Sequence, residues 1–288
     1  MKIPAMPLSL SSLSGQATRV VTGLILAAAL LACLFLGGTY LALALALVSA
    51  LALHEFFQMF RPGKTAIPLK AFGIFLGLML FCPVGGEEAV SVIITLAFAG
   101  AAVSFLIDYG RGNAAARLEH HALLPLGVLY IPVILRLCLS LSMKEQFLVV
   151  AAAIASDIAA YYAGSAFGRR KIWPVVSPRK TWEGSIAGFC ATILVAACVA
   201  CLPYGGVKLY GGNWILWIVI GAFLNIAAQA GDFFESAVKR SCGVKDSGGL
   251  LPGHGGILDR IDSILFTLAA YSAVRLVMEH ASGLSATL

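Results

Sequence analysis

Residues 146–166 read Gln146-Phe147-Leu148-Val149-Val150-Ala151-Ala152-Ala153-Ile154-Ala155-Ser156-Asp157-Ile158-Ala159-Ala160-Tyr161-Tyr162-Ala163-Gly164-Ser165-Ala166. A helix of this length rises about 30 Å, the thickness of a bilayer's hydrocarbon core. The stretch is largely apolar and its one charged residue is a carboxylate, Asp157. An ionisable group within a span costs several kcal/mol or so and marks a functional site by default. On a helix, Asp157, Tyr161, Gly164 and Gly168 share one face. Small residues there admit another helix or a ligand. The competing reading is an interhelical hydrogen bond that locks packing.

Similar apolar stretches recur at 19–36, 39–57, 68–83, 89–107, 121–141, 184–203, 213–231 and 259–279. With 146–166 they make about nine spans. The expected fold is all-α, a polytopic membrane bundle. Composition agrees: the 288 residues are 60% hydrophobic and 12% charged, and the mean hydropathy is +0.92. A soluble domain carries about 25% charged residues, so soluble, disordered and secreted disulfide-rich chains are excluded. The seven cysteines are odd in number and mostly lie in apolar stretches. Cys198 and Cys201 form a CxxC that reads as small helix-packing residues, the alternative being a metal or redox pair. Lys2 and Arg19 precede the first stretch, which reads as a retained span rather than a cleaved leader, because more spans follow. Residues 1–145 read as a supporting region and 146–288 as the working region, since polar residues thicken after about residue 155.

The net charge of +6 has no clustered basic face, so no nucleic-acid partner is expected. Alternation through nine spans instead puts most cations on one side. With the N-terminus inside, that side holds Lys2, Arg19, Arg61, Lys64, Lys70, Arg111, Arg117, Arg169, Arg170, Lys171, Arg179, Lys180, Lys239, Arg240, Lys245 and Arg260. The other side holds only Arg136, Lys144, Lys208 and Arg275. Sixteen of 20 cations on one side assign that side to the cytoplasm by the positive-inside rule. His120 and His121 fall in a cytoplasmic loop and read as solvated. Trp173, Trp182, Trp214 and Trp217 read as interfacial anchors.

Two polar inserts lie on that side. In Ser177-Pro178-Arg179-Lys180-Thr181-Trp182-Glu183-Gly184, cations and hydroxyls precede a helix start. That arrangement suits an anion at free backbone N–H groups, and equally a membrane anchor with a Thr cap. No GxxxxGK[ST] loop is present, so the chain is not read as an ordinary P-loop ATPase. The denser insert runs from Asp232 to Ser263. If its first part is helical, Asp232, Glu235 and Lys239 share a face. A glycine-rich loop follows, and Asp259 and Asp262 open the next helix. Carboxylates flanking Lys and Arg at a helix start suit phosphate chemistry, with hard oxygens for Mg²⁺ and cations for phosphate charge. The alternative is a structural salt-bridge network. His254 reads either as a base or ligand, or as a hydrogen-bonding loop residue.

The run Ser236-Ala237-Val238-Lys239-Arg240, Lys245-Asp246-Ser247-Gly248 and Leu251-Pro252-Gly253-His254-Gly255-Gly256-Ile257-Leu258-Asp259-Arg260-Ile261-Asp262 resembles the signature of the phosphatidate cytidylyltransferases. So do Asp157-Ile158-Ala159-Ala160-Tyr161 with Gly164 and Gly168, and Ser177-Pro178-Arg179-Lys180-Thr181, where Arg179 stands in place of the commoner Lys. The likeness covers about 155–265. It implies transfer of CMP from CTP to phosphatidic acid, giving CDP-diacylglycerol and pyrophosphate. It also implies a homodimer in the lipid bilayer (the inner, cytoplasmic membrane in a bacterium), with the active site facing the cytoplasm. Asp232 and Asp259 would hold Mg²⁺, with a second ion such as K⁺. Asp232, Lys239, Arg240, Lys245, Asp246, His254 and Asp259 would form the catalytic group. Asp157, Tyr161, Ser177, Arg179, Lys180, Thr181, Gly255, Gly256, Arg260 and Asp262 would contact the substrates. The other readings are a related CTP-dependent membrane lipid kinase or synthase, and an ion-coupled transporter. The transporter would need polar residues through the full membrane depth and repeat symmetry.

Overall fold

The computed structural model describes residue 23 and residues 28–60, 67–82, 86, 88–112, 117–202, 214–251 and 255–281. Among them the chain is helical, with no strand beyond two isolated bridges, Lys171 with Thr181 and Leu251 with Gly255. After a helical segment at 28–36, Gly37 and Gly38 turn the chain at φ +58° and +48°. Eight helices follow: α1 (Gly38–Phe60), α2 (Ile67–Met79), α3 (Glu88–Gly110), α4 (Leu118–Ser140), α5 (Met143–Phe167), α6 (Trp182–Ala200), α7 (Trp214–Ser241) and α8 (Leu258–Ala281).

Seven helices, all but α2, are long and apolar enough to cross a bilayer. Their outer faces carry large exposed apolar side chains such as Leu43, Phe98, Ile186 and Ile215. In water such a surface would be a liability; in lipid it is the solvated face. The chain is therefore an integral membrane protein. The expected span at 68–83 is a helix of only 13 residues, ending at Met79. Beyond it the Arg136 guanidinium donates to the carbonyls of Leu80 and Gly86, the latter at 2.8 Å. Of the expected span at 19–36, residues 19–22 and 24–27 lie outside the described residues, and 28–36 are helical. The span expected at 213–231 continues as one helix of 28 residues into the polar insert.

Two apolar cores result. One joins α1, α2, α3 and α4 through Leu53, Phe56, Phe57, Leu76, Leu124 and Ile131, and takes in Leu258 and Leu265 of α8. The other joins α5, α6, α7 and α8 through Leu148, Ala196, Trp217, Leu224, Leu268 and Tyr271. Trp217 is thus a core residue, 4% exposed, not an interfacial anchor. His121 is likewise buried, not solvated: it bonds Ser104 Oγ at 2.8 Å and its ring meets the edge of Phe105. Tyr130 lies in a π-helical turn, Leu129–Val133, that contains Pro132. Proline has no N–H to give the preceding turn, so the wider turn relieves the helix there. The Tyr130 ring meets Phe56, Phe234 and Phe266, linking α1, α7 and α8.

Within α5, α6 and α7 runs a polar ladder. Asn225 Nδ2 donates to Ser156 Oγ and Thr192 Oγ1, both at 2.9 Å. Gln229 donates to Asn225 Oδ1 and to the Ser185 carbonyl, and accepts from Ser185 Oγ. Pairing is what lets these groups leave water. The helices meet closely because glycines face backbone. A Cβ on Gly184 would stand 2.5 Å from the Ala160 carbonyl and 3.2 Å from Gly164 Cα.

Overpacking a tight contact of this kind costs about 1–3 kcal/mol. Gly184→Val is expected to lower the thermal unfolding midpoint in detergent. Ile186→Val, on an outer face that is 61% exposed, should leave it unchanged.

Candidate active site

The charged residues of the two inserts gather at one end of the bundle. There α1, α5 and α7 terminate, and α6 and α8 begin. Arg136, Lys144 and Arg275 lie at the opposite end, donating to main-chain carbonyls of Leu80, Leu202 and Ser140.

Lys239 is the hub. Its Nζ lies 2.5 Å from Glu235 Oε2 and 2.6 Å from Asp259 Oδ1, joining α7 to the first turn of α8. The three side chains are 13%, 1% and 7% exposed. The i, i+4 spacing on α7 aligns Lys239 with Glu235. Asp259 Oδ2 accepts from Gly256 N at 2.8 Å and Ser247 N at 3.0 Å. Gly255 has φ +82°, and a Cβ there would stand 2.9 Å from Asp259 Oδ2, so that position needs glycine on two counts.

A second pair stands beside it. Lys180 Nζ lies 2.5 Å from Asp232 Oδ2 and 4.4 Å from the centre of the Phe233 ring. Ser236 Oγ donates to Asp232 Oδ1 at 3.3 Å. Lys180 is delivered by a closed loop. Ile172 N bonds the Lys180 carbonyl at 3.3 Å, and Trp182 N bonds the Arg170 carbonyl at 2.9 Å. Thr181 ends this loop as the N-cap of α6, its Oγ1 accepting from Gly184 N at 3.2 Å. Its hydroxyl is packed against Gly164 and Gly168. The face shared by those glycines thus receives α6, while Tyr161 is 70% exposed with its ring against Tyr162.

Asp157 Oδ2 accepts from Ser263 Oγ at 3.4 Å. Asp262 is buried, and Ser263 N donates to its Oδ1 at 2.7 Å. Asp157, Asp232 and Asp262 lie within electrostatic reach of one another. Gly231 makes this possible: a Cβ there would stand 2.5 Å from the Asp262 carbonyl. Ser177 is half-buried; Arg179, Arg240, Lys245, Asp246 and Arg260 form an exposed rim. Arg240 donates to the Val244 carbonyl at 3.3 Å. Gly256 is buried. His254 lies outside the described residues.

Beside the Lys180–Asp232 pair a cleft of about 610 Å³ descends between α6 and α7. Trp173, Val176 and Ala237 stand near its polar end, and Phe189, Ile226 and Phe233 form apolar walls. Asn225 and Gln229 lie deeper along it.

Among the described residues, no three His, Cys, Asp or Glu side chains converge as a ready metal cage. Mg²⁺ is ordinarily held by one or two carboxylates together with substrate phosphates, not by such a cage. Separate aspartates, each now neutralised by an ammonium, fit that donor chemistry.

The molecule is thus a helical membrane protein with carboxylate–ammonium pairs gathered at one end of its bundle. The profile of the cytidylyltransferase family matches residues 17–278. The phosphatidate cytidylyltransferase of Brucella suis biovar 1 (strain 1330) is 32% identical, over 89% of this chain and 92% of its own. Those of Staphylococcus aureus (strain COL) and Bacillus subtilis (strain 168) are 46% and 45% identical over 39% of this chain. In these two the match spans 42% and 40% of the relative's length. The chain belongs to the cytidylyltransferase family.

Two features of the site were not singled out in the sequence. One is the Asn225–Gln229 ladder, whose signal is a polar pair at i, i+4 in an apolar run. The other is Glu55 of α1, 2% exposed, whose Oε2 accepts from Ser247 Oγ at 3.1 Å and Leu258 N at 2.9 Å.

Removing one partner of a buried ion cluster costs about 3–5 kcal/mol. Lys239→Met, which leaves Glu235 and Asp259 facing each other, should lower the thermal midpoint in detergent sharply. Adding Glu235→Gln should restore part of the loss.

Proposed function

We propose that this protein is a phosphatidate cytidylyltransferase, acting on CTP and phosphatidic acid as a homodimer. The observation that carries the reading is the pairing of Lys239 with Asp259 and of Lys180 with Asp232, at one end of the bundle beside an apolar cleft. Cations suited to a nucleotide triphosphate stand next to a path suited to acyl chains.

The reaction is a displacement at phosphorus. A phosphate oxygen of the lipid forms a bond to the α-phosphorus of CTP, and the bond to the β-phosphate oxygen breaks, releasing pyrophosphate. The lipid phosphate dianion is already a nucleophile, so no strong base is needed, and catalysis is positioning plus charge neutralisation. Lys180, Lys239, Arg240 and Arg260 neutralise phosphate charge. Lys245 and Asp246 support the loop rim, Ser177 and Arg179 meet the nucleotide phosphates, and Asp157 and Asp262 add negative potential that favours a bound cation. Asp232 and Asp259 would hold Mg²⁺, with a second ion such as K⁺, and that metal would screen the triphosphate charge when bound. At one end of the cleft Trp173 packs on Phe233, whose ring lies under the Lys180 ammonium, and this orients a lipid with its head group toward the cations.

The orientation proposed is N-terminus and active site in the cytoplasm, with nine spans counting α2 and the stretch at 19–36. The supporting fact is that cations assigned inside crowd the site end, while Arg136, Lys144 and Arg275 sit at the other.

CTP labelled in its α-phosphate should transfer label to lipid, and γ-labelled CTP should not. Asp259→Asn should abolish that transfer while the protein still inserts and elutes from gel filtration as wild type. Wild-type turnover by this variant sinks the site assignment. In a background without native cysteines, Lys245→Cys should react with a membrane-impermeant maleimide in inverted vesicles only.

A further inference from the structure

The site as proposed lies in the second half of the chain, yet its central loop is built around a carboxylate from the first. Glu55 sits on α1 five residues before its end. Its Oε2 accepts the Ser247 hydroxyl at 3.1 Å and the first amide of α8, Leu258 N, at 2.9 Å. Glycines frame it: a Cβ on Gly248 or Gly256 would collide with the Glu55 carboxylate. Ser247 gives its hydroxyl to Glu55 and its amide to Asp259 Oδ2, the latter at 3.0 Å. One serine therefore binds both carboxylates, and Asp259 in turn binds Lys239.

We infer that Glu55 is a positioning residue for the transfer reaction. Its buried carboxylate fixes the 247–256 loop and the start of α8, and so sets where Asp259 and Lys239 stand. The negative charge also meets the positive end of the α8 dipole. What the position requires is an acceptor oxygen at the end of a four-atom side chain. Alanine removes the acceptor, aspartate withdraws it by one methylene, and glutamine keeps it. The inference rests on the proposed role of Asp259, so Asp259→Asn is measured beside every variant.

The experiment uses the full-length protein in detergent, with CTP and phosphatidate as substrates and amide hydrogen exchange as an independent readout. Glu55→Ala should lower kcat by about tenfold or more, as displacement of a catalytic group does, and change the KM for CTP far less. Exchange of the Ser247, Gly256 and Leu258 amides should quicken by about tenfold as the loop opens locally. Glu55→Gln should stay within about threefold of wild type, since both acceptor contacts survive, and Glu55→Asp should behave like alanine. A merely structural role for Glu55 would lower stability without this split or this rescue. If Glu55→Ala does not fold, Ser247→Ala decides: it retains the amide to Asp259, loses the link to Glu55, and should lower kcat with the loop amides exchanging faster. Wild-type kcat and exchange in Glu55→Ala or Ser247→Ala overturn the inference, as does a Glu55→Gln protein as impaired as alanine. Wild-type activity in Asp259→Asn overturns the site assignment instead. Ser49→Ala, a buried hydroxyl on the same helix with no bond to the loop, is the control and should match wild type.

Discussion

A charge withdrawn from water costs several kcal/mol unless a partner charge and hydrogen bonds come with it. The charged end of this bundle is arranged around that cost. Glu235 is almost wholly buried, and Lys239 answers both it and Asp259. Two backbone amides then satisfy the remaining Asp259 oxygen. Without the ammonium two carboxylates would face each other across α7 and α8. The same ammonium is also what a phosphate group would meet. On the proposed reading, stability and chemistry draw on one cluster.

The close packing that carries these pairs comes from small residues set against backbone. Gly231 brings α7 to the Asp262 carbonyl, and Gly184 brings α6 to the Ala160 carbonyl. Lipid offers little apolar driving force between helices, so close approach and interhelical hydrogen bonds hold them instead. The Ser156–Thr192–Asn225 contacts and the Ser185–Gln229 contacts provide the latter. They stiffen the wall of the cleft beside the charged pairs.

Much of this was legible in the sequence. Apolar stretches of bilayer length gave the helices, and the glycine-rich insert with its flanking Asp, Lys and Arg residues gave the site end. The shared face of Asp232, Glu235 and Lys239 was legible on the condition that the segment is helical, and the helix that runs on to Ser241 meets that condition. What was not legible depended on partners distant in sequence. Glu55 stands at the end of an apolar run and was not singled out, because nothing local shows that a loop nearly 200 residues later closes over it. His121 read as solvated for the same reason: Ser104, Phe105 and Asp108 on α3 are what bury it. Trp217 matched the anchor pattern, yet a neighbouring helix covers it. The stretch at 68–83 has the hydropathy of a span, but its helix ends early where Arg136 binds the carbonyls beyond it. Hydropathy reports what a segment tolerates, and tertiary contacts decide where the helix stops.

The last helix belongs to both apolar cores. Leu258 and Leu265 complete the first, Leu268 and Tyr271 the second, and Asp259 and Asp262 stand at its entrance. Synthesis runs from the N-terminus, so α1 to α7 are made before any of these residues exists. Until then neither core is closed and Lys239 has only one of its two carboxylates. Assembly is thereby tied to synthesis of the last helix, and on the proposed reading so is activity: a chain that stops before α8 has neither core closed and lacks Asp259.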